Sequence, residues 1–175
     1  LKRMVLADYE RLPETADVVI LVFDYEFGKR SFKNVKESTA DILRISRVAS
    51  KEQKLAIEKS LIDSAKELQD LVIKNKKSQD VVLLSEPLAH LYRTFIQVVD
   101  AKNSRVYRAH YNLAETQFEI KHFAKATLNY RWIMDNMSSK MMKQSELDAE
   151  TISLKAIGSR YEELQLAKLV PGELS

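Results

Sequence analysis

Three histidines, His90, His110 and His122, have the side chains best suited to metal binding or proton transfer near neutral pH. Their spacing argues against both. His110 and His122 stand 12 residues apart with no ligand-spaced acid or histidine between them, and no His-Glu-x-x-His run occurs. His90 falls at the edge of an apolar helical pattern. Carboxylates cluster at Glu162-Glu163 and at Glu146, Asp148 and Glu150. General acid–base catalysis needs such groups in a pocket with shifted pKa values, whereas at helical spacing these read as solvated faces. Glycine occurs only at Gly28, Gly158 and Gly172, so no glycine-rich phosphate loop can be built. There is no cysteine, which excludes disulfides, thiol catalysis and cysteine-ligated zinc. The sequence therefore points to no catalytic residue, no cofactor and no metal, and to a protein that is not an enzyme.

Charge narrows the partners. The 28 basic and 25 acidic residues leave a net charge of +3, too balanced to favour nucleic acid through counterion release. The densest basic run, Lys74, Lys76 and Lys77, lies beside Asn75 and Ser78 and reads as a solvated loop. The longest apolar runs, residues 18–23 and 81–84, fall far short of the roughly 20 residues that span a bilayer. No membrane insertion is expected.

The elements that must position any binding surface are helical. A chain that is 45% hydrophobic and 30% charged, with 3 Gly and 3 Pro, lacks the turn residues of a many-stranded fold. Residues 1–11 suit a helix ended by Leu12-Pro13, and the next helix runs from Glu14 or Thr15 to Phe27. Gly28 stands where a helix end favours a left-handed residue. Ser31 can cap a helix to about Val48, with Phe32, Val35, Ile42, Ile45 and Val48 inward. Residues 17–23 are β-branched enough to admit a strand, but no strand partner other than 81–84 exists, and helix is the reading. Ser50 caps a helix over 51–74, with Leu55, Leu61, Ile62, Ala65, Leu68 and Val72 recurring at helical steps. After a polar stretch at 74–80, Ser85-Glu86-Pro87 supplies a helix start, and that helix runs to about Ala101. Ser104 caps another, and a helix over about 146–168 ends before Pro171-Gly172. The helix pairs are thus about 14–48, 51–101 and 104–137, followed by a terminal helix.

The pair from 104 to 137 carries a pattern. His110, Leu113, Ala114 and Gln117 are followed by Ala126, Tyr130 and Ser138, with Phe118 and Phe123 at the turn between them. Small Ala114 and Ala126 let two helices approach, and Leu113, Phe118, Phe123 and Tyr130 fill the space around that contact. This spacing resembles the tetratricopeptide repeat, a helix–turn–helix unit of about 34 residues. The first aromatic, the tyrosine and the proline of that template are replaced by His110, Gln117 and Ser138, and His110 is expected to pack rather than ligate. Phe27, Phe32, Val35 and Ile42 repeat the spacing of Phe118, Phe123, Ala126 and Ile133. Leu154, Ile157, Gly158 and Tyr161 repeat the first half of the template, and Leu61, Ala65 and Leu68 match it more weakly. Ala65, Ala114 and Gly158 lie 49 and 44 residues apart, so long connections interrupt the array.

The resemblance implies an all-α, right-handed solenoid of αα-hairpins, irregular and TPR-like, with about seven or eight helices over 1–175. The start at Leu1 suggests a part of a longer protein. It also implies a non-catalytic scaffold that binds a peptide or helix of a protein partner in a groove lined by the first helix of each pair. In the clearest unit the groove residues are Arg108, Tyr111, Asn112, Glu115 and Glu119, with Asn112 at a position that hydrogen-bonds a peptide backbone in this family. A carboxylate clamp is not expected, because Tyr111 and Glu115 stand where basic and amide neighbours would be needed. Met134, Met137, Met141 and Met142 form a second candidate surface, since methionine adapts to varied apolar partners. The alternatives are a self-assembling structural subunit, hence a homo-oligomer, and a regulatory domain of a larger enzyme.

Overall fold

The structure, a computed structural model, describes residues 13–30, 32–75 and 80–169. The expectations for residues 1–12, for Ser31 as a cap, for Lys76 and Lys77, for the side chain of Met142 and for Pro171-Gly172 lie outside them. Among the described residues the chain is all-α, with eight α-helices and no strand, so residues 17–23 are helical. The chain forms two compact units, Leu1–Asp100 and Ala101–Ser175. No helix of the structure is long and apolar enough to cross a membrane, among the described residues.

The first unit contains α1 (Pro13–Gly28), a 3-10 turn (Phe32–Asn34), α2 (Val35–Ile45), α3 (Lys51–Lys74) and α4 (Asp80–Val98). Proline opens α1, where its missing N–H would have had no helical partner. Ala16, Val19, Ile20, Phe23 and Phe27 recur at three- and four-residue steps and are buried. Ser50 forms a full capping box at the start of α3: its hydroxyl accepts from Gln53 N–H while Gln53 accepts from Ser50 N–H. Gln53 also donates to Asp17, and the Ser60 hydroxyl to Asp24. Both links join residues 36 apart, so α1 and α3 run parallel.

Several expectations fail in this unit. Gly28 is not left-handed; Arg30 is, at φ 54°, two residues further on. Val48 and Leu55 are exposed, and Ile57 takes the buried position on α3 that the pattern assigned to Leu55. Apolar residues two apart cannot both face inward on a helix, and periodicity alone chose the wrong one. Ser85 is not a cap. The helix begins at Asp80 and passes through Pro87, and Ser85 is wholly buried, its hydroxyl without a hydrogen-bond partner among the described residues. Burial of Leu88, Ala89, Leu91 and Tyr92 beyond the proline, with Val81 and Leu84 half-buried before it, overrides the local preference for a start at Ser85.

The second unit contains α5 (Ser104–Glu119), α6 (Phe123–Asn136), α7 (Ser139–Ser145) and α8 (Ala149–Leu169). The cap of α5 is Asn103, not Ser104: its side chain accepts from Arg105 N–H at 3.0 Å. Asp148 caps α8, accepting from Thr151 N–H at 2.7 Å, and these backbone donors hold its carboxyl below the ordinary range. The Met-rich connection contains the short helix α7, with Met137 and Met141 packed on the core. The contacts Tyr107 to Asn136, His110 to Asn129 and Phe118 to Phe123 fold α6 back along α5 as a hairpin. Its core is Tyr107, Ala114, Ala126, Tyr130 and Ile133, joined by Leu147, Ile152 and Ala156.

The two hairpins share local geometry. The Phe27–Phe32 rings lie 5.4 Å apart and the Phe118–Phe123 rings 5.0 Å apart. The residue three after the first phenylalanine, Arg30 or Lys121, is left-handed in each, at φ 54° and 61°. Its N–H donates to the carbonyl of that phenylalanine, at 2.7 Å and 2.9 Å. Val35 and Ile42 in one hairpin, and Ala126 and Ile133 in the other, are buried. In this register Gly28 corresponds to Glu119, the last helical residue of α5, which is why it needs no left-handed conformation.

Candidate functional site

The five candidate residues on α5 are brought to one side of the helix by their spacing. Arg108, Tyr111 and Glu115 follow one another at steps of three and four, flanked by Asn112 and Glu119. The structure then ties the middle of this set into the chain itself. The buried Tyr130 hydroxyl, reaching across from α6, donates to the Glu115 carboxylate. Lys155 Nζ, from α8, donates to both Glu115 oxygens at 2.7 Å. The Tyr111 ring meets Tyr130 edge-on at 6.1 Å and lies 5.7 Å from the Lys155 ammonium and 6.0 Å from the Arg108 guanidinium. Arg108 also stands 3.9 Å from Glu146, a loose and exposed pair.

Electrostatics follow from this hub. Burial, and then the Glu115 carboxylate, push the Tyr130 phenol far above its ordinary pKa, so it stays a donor. Partial burial opposes the charge on Lys155, but Glu115 outweighs it and holds the ammonium above its ordinary value. Tyr111 and Glu115 therefore brace α5 against α6 and α8. The Asn112 carbonyl accepts from the Thr116 hydroxyl at 2.8 Å, and Arg108 and Glu119 are exposed.

The template slots filled by unexpected residues are linked to each other. Asn129 Nδ2 donates to Gln117 Oε1 at 2.9 Å and to Lys125 O, so its Oδ1 is the acceptor for His110 Nδ1 at 2.8 Å. Nδ1 of His110 is thus the donor in this contact, while Nε2 is buried without a hydrogen-bond partner among the described residues. Its ring stacks on Trp132 at 3.8 Å and 15°. Burial lowers its pKa, against the opposing effect of Asn129. His90 is half-buried, and burial followed by the Arg93 charge lowers its pKa too. Among the described residues no three His, Asp or Glu side chains converge as a metal site would require.

A surface of which the sequence reading nominated only Met134 lies between α6 and α8. It is an open groove of about 500 Å³ lined by Thr127, Arg131 and Met134 on one side and Ser153, Ala156, Ile157, Arg160, Tyr161 and Leu164 on the other. Ile157 is 66% exposed and Tyr161 59%, and Leu154 beside them is 63% exposed. These residues and Gly158 repeat the spacing of His110, Leu113, Ala114 and Gln117 on α5, all four of which are buried. The signal was present in the sequence as a first half without a second half. Lys155 had no such signal, because its partner lies 40 residues away on another helix.

No known protein family, no curated protein and no solved structure matches the chain.

Proposed function

We propose that this chain is a non-catalytic protein-interaction scaffold of TPR-like helix pairs, and that its second unit receives a helix of a protein partner in the groove between α6 and α8. The observation that carries this reading is the exposure of Leu154, Ile157 and Tyr161 in slots whose counterparts on α5 are buried. Contiguous exposed apolar side chains of this kind mark interaction surfaces, and an amphipathic helix laid into an apolar groove is a recurrent recognition mode. Arg108, Asn112 and Glu119 are a lesser surface, because Tyr111 and Glu115 between them serve internal packing.

The test is site-specific photo-crosslinking of the full chain in its native cell. A photoreactive phenylalanine at position 157 is expected to give an adduct with another protein, and one at position 112 none. Adducts at 112 alone return the site to the face of α5, and adducts at neither position overturn the scaffold reading. Self-assembly is the second reading, favoured by Leu21 and Tyr25, which stand 68% and 62% exposed on α1. A crosslinked dimer of the chain at position 157 would replace the first reading with this one.

A further inference from the structure

We infer that the helix received between α6 and α8 is acidic and amphipathic. This rests on the proposed use of that groove, and it adds the chemistry of the occupant. The apolar part of the floor follows one face of α8, Ile157, Tyr161 and Leu164 recurring at steps of four and three, with Met134 opposite on α6. A helix laid along it matches this spacing with its own three- and four-residue stripe.

Charge selects among amphipathic helices. The walls hold two guanidinium groups, Arg131 on α6 and Arg160 on α8, and no carboxylate among the described residues. Arg160 pairs with Glu163 at 2.6 Å, an i,i+3 contact on one helix in which Arg160 is exposed and Glu163 half-buried, worth little by itself. A guanidinium has five N–H donors, so this pair leaves donors over for a second carboxylate. A helix with Glu or Asp flanking its apolar stripe would meet a positive group on either wall, and a basic helix would meet repulsion on both.

The experiment titrates the full chain against three fluorescein-labelled synthetic helices of about 16 residues, enough for four turns. They share one Leu/Ala stripe and carry Glu, Gln or Lys at the flanking positions. The Glu helix is expected to bind roughly tenfold tighter than the Gln helix, with the advantage lost in high salt. Arg131→Gln with Arg160→Gln is expected to remove that advantage and leave the Gln helix unaffected. Equal binding of the Glu and Gln helices, or tighter binding of the Lys helix, overturns the acidic assignment and leaves the groove standing. If no helix binds, or if Ile157→Asp changes nothing while Trp132 emission shows the fold intact, the groove reading itself falls.

Discussion

The hub joining Tyr130, Glu115 and Lys155 gives a stability prediction whose sign depends on geometry. Tyr130 is 1% exposed, so its hydroxyl has the Glu115 carboxylate as its partner and little access to water. Tyr130→Phe removes a hydrogen bond to a charged group, about 1.5–3 kcal/mol in general. Here the low end applies, because Glu115 keeps Lys155 and its own side chain is 36% exposed. Glu115→Ala removes the ion pair with Lys155, which at this exposure contributes about 0.5 kcal/mol. It also strands the buried phenol, a further 1–3 kcal/mol or so. Glu115→Ala should therefore be the more damaging single change, at about 2–3 kcal/mol.

The decisive quantity is the coupling. Once Glu115 is alanine, Tyr130→Phe removes an unsatisfied hydroxyl and should be neutral or slightly stabilising, a coupling of about 1–2 kcal/mol. Urea titration of the full chain followed by tryptophan emission measures this, because the single tryptophan, Trp132, lies in the second unit against His110 and Tyr107. Each kcal/mol would move the melting temperature by about 4–8 °C for a unit of this size. If Tyr130→Phe has the same effect with and without Glu115, the hydrogen bond contributes nothing and the account of α5 as braced through Glu115 is wrong.

His110 should give the second unit a pH dependence. Burial lowers its pKa below the ordinary 6.5, so the unfolded chain takes up the proton more readily. Stability is then full above the unfolded value and falls as pH drops through the window down to the folded one. His110→Gln should flatten that slope in urea midpoints read from Trp132, and an unchanged slope would rule out His110 as its source. In the first unit, Ser50→Ala should destabilise α3 by about 1 kcal/mol and Ser50→Asp far less. Hydrogen exchange at the amides of residues 51–54 is the measurement, and equal protection in both variants would contradict the capping role.

What was legible in the sequence was whatever local chemistry decides. The cap at Ser50, and the repeated Phe-x4-Phe-x2 spacing at the two hairpin turns, both appear where expected. What was not legible depends on distant neighbours. The start of α4 seven residues before Pro87 reflects burial along the helix, which outweighs the appeal of a Ser-Glu-Pro start. The choice of Ile57 over Leu55 reflects where α3 meets the rest of its unit. For the candidate site, the helical spacing placed Tyr111 and Glu115 side by side with Arg108, as they are. It could not show that Tyr130 and Lys155 arrive on the same side and engage them.

The two copies of one pattern have different fates, and that difference bounds the affinity. On α5 the pattern is buried, whereas on α8 Leu154, Ile157 and Tyr161 remain more than half exposed. Fully burying a large apolar side chain gains about 1.5–3 kcal/mol, so covering these three would supply at most about 5–9 kcal/mol. Association itself costs on the order of 4–15 kcal/mol before any contact is counted. Apolar burial alone therefore gives a weak complex or none. Charge-assisted contacts to Arg131 and Arg160 would then decide whether binding is measurable, and they would also decide which helix binds. Such an interaction would be reversible and sensitive to salt, and a neutral partner helix of the same shape would bind roughly tenfold more weakly.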